Sequence, residues 1–166
     1  AARYYGAQLV GIGLLKQKWV YSHTGCTGGN QEGYPKWGSE INLGTHTHAI
    51  AMGFPMDLAL LSSAPKLPAL LASAKAYTDS ALAAVNLAAY IRRMGYLARA
   101  HHFSNYQVLA VPVAVDCGLG ELSRAGYLLT QRYGLGIRLS IVTTDLEMQP
   151  DPPADFGVQS FCEHCL

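Results

Sequence analysis

Four kinds of residue in this chain have types and spacing that could do chemistry. They are a cysteine pair three apart, Cys162 and Cys165; an arginine at the start of an apolar run, Arg138; a tyrosine near the front of a long helical pattern, Tyr77; and paired histidines. A CxxC pair suits a metal or a cluster, yet two thiolates cannot complete a four-ligand set. The pair is therefore either a disulfide or two idle thiols, or, on the sharper reading, the opening of a longer cysteine motif that the sequence cuts. A guanidinium cannot shed its proton, so Arg138 in a buried strand calls for an anion or an acidic partner. Tyr77 taken alone reads as a core-rim aromatic. His46 and His48 would share a strand face, but no third ligand lies near them in sequence. His101 and His102 are adjacent and read as a solvated loop pair. Asn105, just ahead of a buried run, suits a cap or a pocket donor.

These residues need elements to position them. Ile137 to Thr144 is rich in β-branched residues and predicts a strand, as does Leu9 to Leu14 after a stop at Gly6. Val108 to Val115 is an apolar run of strand length, with Pro112 assigning part of it to an edge or irregular segment. Ala69 to Met94 predicts the longest helix, closed by Gly95, with Arg92 and Arg93 in the last turn where cations suit the dipole. Ala74, Ala81, Ala84 and Ala88 give that helix a small-residue face. Asp57 to Ala64 predicts a helical turn, and Lys16 to Thr47 a long excursion with little periodicity. Gly118 and Gly120 allow the backbone to approach something flat or bulky. Beyond Asp145, three prolines and several acids predict a stiff connector leading to the cysteine pair.

Composition sets outer bounds. The chain has 166 residues, 50% hydrophobic and 14% charged, with a net charge of +1, which suits a globular domain with a sizeable core. Nothing in that balance argues for nucleic acid or an anionic membrane, and no run approaches a spanning helix. The opening AARYYGAQLVGIG reads as the inside of a domain rather than a signal peptide. Ten tyrosines and seventeen glycines suggest either a loop-rich pocket lined with phenols or a solvated tyrosine surface. Cys26 and Cys117 complete the cysteine set without motif spacing.

The run GLGELSRAGYLLTQRYGLGIRLSIVTTDLEMQPDPPADFGVQSFCEHC resembles the corrinoid-dependent reductive dehalogenases, just before their first iron–sulfur cysteines. GAQLVGIG, KWVYSH and AYIRRMGYLA follow the same family's layout in the same order. The resemblance implies an α/β (α+β) fold, a nitroreductase-like cobamide-binding domain with a central mixed sheet flanked by helices. It implies residues 1–148 as that domain, and 149–166 as a linker into a ferredoxin-like part with [4Fe–4S] clusters. The activity implied is removal of halide from an organohalide by a base-off cobamide. In that reading Tyr77 donates the proton, Arg138 is its basic partner and Asn105 is a pocket amide, with Tyr96 and Tyr106 as alternative donors. A buried phenol can supply a proton in a water-poor pocket, and a guanidinium beside it favours the phenolate. Gly118, Leu119, Gly120, Glu121, Leu122, Ser123, Arg124 and Gly126 would lie along the corrin or its tail, with Ser123 where the family usually has glycine. Cys162 and Cys165 would begin the cluster ligands.

The partners implied are a small organohalide and an electron-donor protein or membrane anchor. Export by a twin-arginine signal, as in organohalide respiration, and a cytoplasmic location both stay open. Two rival readings stand beside this one. A corrinoid carrier or processing module would have no use for a connector ending in CxxC. An epoxyqueuosine reductase-like enzyme would be expected to carry a GLGW-type loop where this chain has GLGELSR, and a basic surface for its tRNA.

Overall fold

A computed structural model describes residues 1–25 and 37–165. In chain order the elements are β1 (Leu9–Leu14), β2 (His48–Pro55), α1 (Leu58–Leu61), α2 (Leu67–Arg93), β3 (Ala98–His101) and α3 (Ala110–Asp116). They continue with β4 (Glu121–Leu122), β5 (Leu128–Leu129), β6 (Ile137–Thr144) and α4 (Val158–His164). The main sheet runs β1-β2-β6-β3, and β4 and β5 form a separate small hairpin. Where the resemblance implies a mixed sheet, all the ladders among the described residues are antiparallel.

Strand alternation explains the layers. Successive side chains point to opposite faces, so Ile50, Met52 and Phe54 of β2 and Val142 of β6 meet α2. Ala49, Ala51, Leu139 and Ile141 meet Val113, Ala114 and Cys117 on the other side. Both central strands are almost wholly buried on both faces, and β2 accordingly reads as a largely apolar run while β6 buries its Ser and Thr side chains. Met52 is wholly buried, and burying such a side chain is worth about 1.5–3 kcal/mol.

The long helix is slightly longer than expected. Pro68 is accommodated in its first turn, where backbone N–H groups have no helical acceptor. Gly95, at φ +95°, ends it. The small-residue face is rotated from the expected one. Ala72, Ala76, Ala83, Ala84 and Ala88 are buried against the sheet, whereas Ala74 is exposed. Asp57 caps α1 by accepting the Leu60 N–H at 3.0 Å.

Two expectations are corrected. The apolar run at 108–115 is largely helical, since α3 begins at Ala110. Pro112 falls in its first turn and is tolerated there, so the proline marks a helix start rather than a strand edge. His101 is no solvated loop residue: it ends β3, paired opposite Ile141, and is fully buried. Strand pairing to a distant partner outweighed the polar local sequence.

β3 covers only the second half of β6, pairing Ala98–His101 with Ile141–Thr144. The stretch Ile137–Ser140 therefore has β2 on one side and no strand on the other. At the opposite edge, Asp151 N donates to Ile12 O and Ile12 N to Asp151 Oδ2, both at 2.8 Å. This ties the connector along β1. Among the described residues no helix is long and apolar enough to cross a membrane.

Candidate functional site

Two of the candidate residues, Tyr77 and Arg138, meet beside the unpaired half of β6. Ser73 and Tyr77 lie one turn apart on α2, so they share a face. Arg138, second residue of β6, reaches both. Its Nε and Nη2 donate to Ser73 Oγ at 3.2 and 2.7 Å, and its Cζ lies 4.6 Å from the centroid of the Tyr77 ring. Stacking on a ring face is worth about 0.5–2 kcal/mol, depending on desolvation. Among the described residues Arg138 has no ion pair. The acidic partner expected for it is replaced by a hydroxyl and a π-face, at the rim of a pocket where the guanidinium is only half-buried.

That pocket has a volume of about 480 Å³ and is lined by Tyr77, Tyr106, Arg138, Tyr127 and apolar groups including Met56, Val111, Leu128 and Ile137. Phe103 packs on Tyr77 with ring centroids 4.5 Å apart. On the outer side of Tyr77 an apolar groove of about 830 Å³ runs along α2 past Leu70, Ala81, Leu82 and Val85. Tyr77 borders both spaces, and its hydroxyl makes no hydrogen bond to any described residue.

Tyr106 differs. Its OH donates to Leu139 O at 2.7 Å, on the unpaired side of β6. Burial pushes this phenol above its ordinary pKa, Tyr77 adds to the effect and Arg138 partly opposes it. Tyr106 is thus a neutral donor committed to the backbone, and the less available of the two phenols. Tyr96 lies beyond the far end of α2 and lines neither space.

Asn105 stands apart from Tyr77 and Arg138. Its Oδ1 accepts from Arg99 Nη2 at 2.9 Å, in a different cavity that also contains His46 and His102. A histidine pair that sequence reasoning missed lies behind it. Gln107 N donates to His101 Nδ1 at 3.1 Å, so His101 carries its proton on Nε2. That N–H faces Thr143 Oγ1 at 2.9 Å, and the same oxygen lies 2.8 Å from His46 Nδ1. The consistent order is His101 Nε2–H to Thr143, and Thr143 O–H to His46 Nδ1, leaving His46 protonated on Nε2. Burial, helped by Arg99, holds His101 down to about 3; burial also lowers His46, with Asp145 opposing.

The glycine segment divides in two. A Cβ on Gly118 would lie 2.4 Å from Pro152 O, and one on Gly120 would lie 2.2 Å from Leu129 O. On the side where a Cβ would stand, these glycines admit the chain's own backbone. Leu119 is buried in the core beneath α3, and the Glu121 carboxylate accepts the N–H groups of Phe156 and Val158 at 2.6 and 3.4 Å. Leu122, Ser123, Arg124 and Gly126 instead border an open hollow of about 620 Å³ shared with Cys162 on α4. Gly126 has nothing within 4 Å of an added Cβ. That half of the segment could contact a large polar ligand.

Cys162 and Cys165 are free thiols, half-buried and exposed respectively. Among the described residues no group of three or more potential metal ligands exists. Cys26 lies outside the described residues. Cys117 is a buried structural thiol, raised to about 12 chiefly by burial.

With this geometry established, relatives can be compared. No protein-family model matches the sequence. The chain is 31% identical, over 99% of its length, to a tetrachloroethene reductive dehalogenase from Dehalobacter restrictus, and likewise 31% to one from Sulfurospirillum multivorans. It spans 35–36% of the length of these curated relatives. A catabolic reductive dehalogenase of known structure superposes with a TM-score of 0.86 at 32% identity, covering 99% of this chain and 22% of that one. An epoxyqueuosine reductase from Bacillus subtilis shares the fold at a TM-score of 0.62, with 13% identity, covering 99% of this chain and 47% of that one. Along 99% of its length the chain is similar in both sequence and fold to reductive dehalogenases, over a stretch matching about a third of its curated relatives.

Proposed function

We propose that this chain forms the proton-delivery wall of a B12-dependent reductive dehalogenase acting on a small organohalide. One solved relative is described as a B12-dependent dehalogenase, and another is described in complex with 3-bromo-4-hydroxybenzoic acid. The observation that carries the reading here is Tyr77, a half-buried phenol under the Arg138 guanidinium, with its hydroxyl uncommitted between a pocket and an apolar groove.

Replacing a carbon–halogen bond by carbon–hydrogen takes two electrons and one proton and releases halide. A cobamide, once bound, would supply the two electrons. Tyr77 O–H supplies the proton to carbon. Arg138, held by Ser73, favours the resulting phenolate and provides N–H donors for departing halide. Met56, Val111, Leu128 and Ile137 keep the space poor in water, which strengthens these interactions. The apolar groove suits the face of a large flat ring, and Ser123, Arg124 and Gly126 suit a polar tail. Gly118, Leu119, Gly120 and Glu121 support that hollow from behind rather than touch a ligand. Asn105 serves Arg99 in this arrangement. Cys162 and Cys165 contribute two thiolates toward a [4Fe–4S] cluster, and the remaining ligands come from outside the described residues.

The test is Tyr77→Phe in a protein carrying the relatives' full length and cysteine set. Losing a positioned general acid should lower turnover about 10²–10⁴-fold, with the visible spectrum of bound cobamide unchanged. Normal turnover would remove Tyr77 from the mechanism.

A further inference from the structure

We infer that the cavity beside Arg99 is an oxyanion site, built to hold the carboxylate or phosphate group of a small molecule. The cavity measures about 540 Å³, within the range of ligand pockets, and no Asp or Glu lines it. Its polar wall includes Arg92, Arg99, His46, His102, Asn105 and Gln107. It shares no lining residue with the pocket of about 480 Å³ at Tyr77 and meets the apolar groove only at Val85 and His102, and the inference does not need the dehalogenase reading.

Three observations converge on an anion. Arg99 is half-buried, has no ion pair among the described residues, and its Nε is buried without an acceptor. That Nε is buried too deeply to meet a ligand in the cavity, but a guanidinium cannot deprotonate to escape the cost of burial, and a negative charge beside its other N–H groups would offset it. Asn105 Oδ1 takes only one of its N–H groups and contributes no charge. Second, the Thr143 relay leaves His46 as an Nε2–H donor on the same wall. Third, Arg92 adds a second cation whose Nη1 is steadied by Ala98 O at 2.8 Å. The nearest acid, Asp145, does not line the cavity; its Oδ1 is occupied by the Leu97 N–H, though its charge reaches His46. Donors drawn from α2, β3 and the segments around 46 and 105 surround a concave space, which fits a compact ligand better than a docked chain.

The probes are inorganic phosphate and, separately, acetate, titrated into the chain at constant ionic strength set with chloride. The His46 and His102 ring resonances are followed by NMR. The expected result is a saturable shift with one or both anions, their relative affinities deciding between phosphate and carboxylate chemistry. Arg99→Met should weaken it at least about tenfold, the scale of one charge-assisted hydrogen bond. Should Arg99→Met fail to fold, Asn105→Asp provides the second reading. It places a carboxylate on Arg99, and should abolish anion binding while raising resistance to urea. No saturable shift would overturn the inference, as would a shift that chloride reproduces or that survives in both variants. Binding of an acidic peptide with neither small anion bound would also overturn it.

Discussion

His101 offers a direct measurement of how far the buried histidine relay shapes the protein. Its imidazole is fully buried, accepts the Gln107 N–H at Nδ1 and donates to Thr143 from Nε2, and the first of these bonds requires the neutral ring. Its pKa falls from an ordinary 6.5 to about 3, because burial and then Arg99 penalise the cation. In the unfolded chain the ring protonates near 6.5, so between those values the unfolded state holds more protons. The stabilisation is complete above 6.5 and is lost as pH falls toward 3. At pH 4.5 the unfolded ring is two units below its pKa and the folded ring still neutral, so about 3 kcal/mol is lost relative to pH 7. Gln at this position can accept from Gln107 and donate to Thr143 without titrating. Urea unfolding of wild type and His101→Gln at pH 7, 6, 5 and 4.5 reads the difference directly. The wild type should lose about 3 kcal/mol more than the variant over that interval. Parallel losses would refute the claim that a neutral, buried His101 carries the pH dependence.

Two further predictions test the site and its support. Ser73→Ala should lower dehalogenase turnover in the full-length protein several-fold by freeing the Arg138 guanidinium, and Ser73→Thr should restore it; equal loss in both would mean that Ser73 only packs. Gly120→Ala must push a Cβ against Leu129 O at 2.2 Å and should cost about 1–3 kcal/mol. Gly126→Ala meets no atom within 4 Å, and at φ +80° should cost only about 1 kcal/mol. Denaturant midpoints that rank these two the other way would sink the close-packing account of the hairpin.

The parts legible in the sequence were those governed by local pattern. β1 and β6 announce themselves through β-branched alternation, and α2 through its length and its glycine stop. The run at 108–115 misled because an unbroken apolar stretch carries no period, and Pro112 has opposite meanings in a strand and in a first helical turn. β3 was invisible: four residues, half of them ionisable, become a strand only by pairing with β6 some forty positions later. The pairing of Tyr77 with Arg138 followed from resemblance to a family. Nothing local links positions 61 apart in sequence, and Ser73, which completes that cluster, gave no signal at all. Asn105 shows the limit of such transfer, because its amide lies with Arg99 in another cavity. The glycines of the 118–120 segment read in the sequence as sites of close approach to something flat or bulky; on their Cβ side they meet the chain's own backbone, a contact between distant segments that no local pattern announces.

The shortness of β3 against β6 has an evolutionary consequence. A pocket cut through an intact sheet can change shape only by disturbing ladder register, and every such change is felt along two strands. Here one wall is a loop, residues 102–109, crossing where a strand would otherwise continue, and it carries Phe103 and Tyr106 past the unpaired half of β6. Substitutions and insertions in that loop can recontour the chamber around Tyr77 while the four strands stay in register. One scaffold can in this way present chambers of differing bulk, with change concentrated in a connecting loop rather than in the framework.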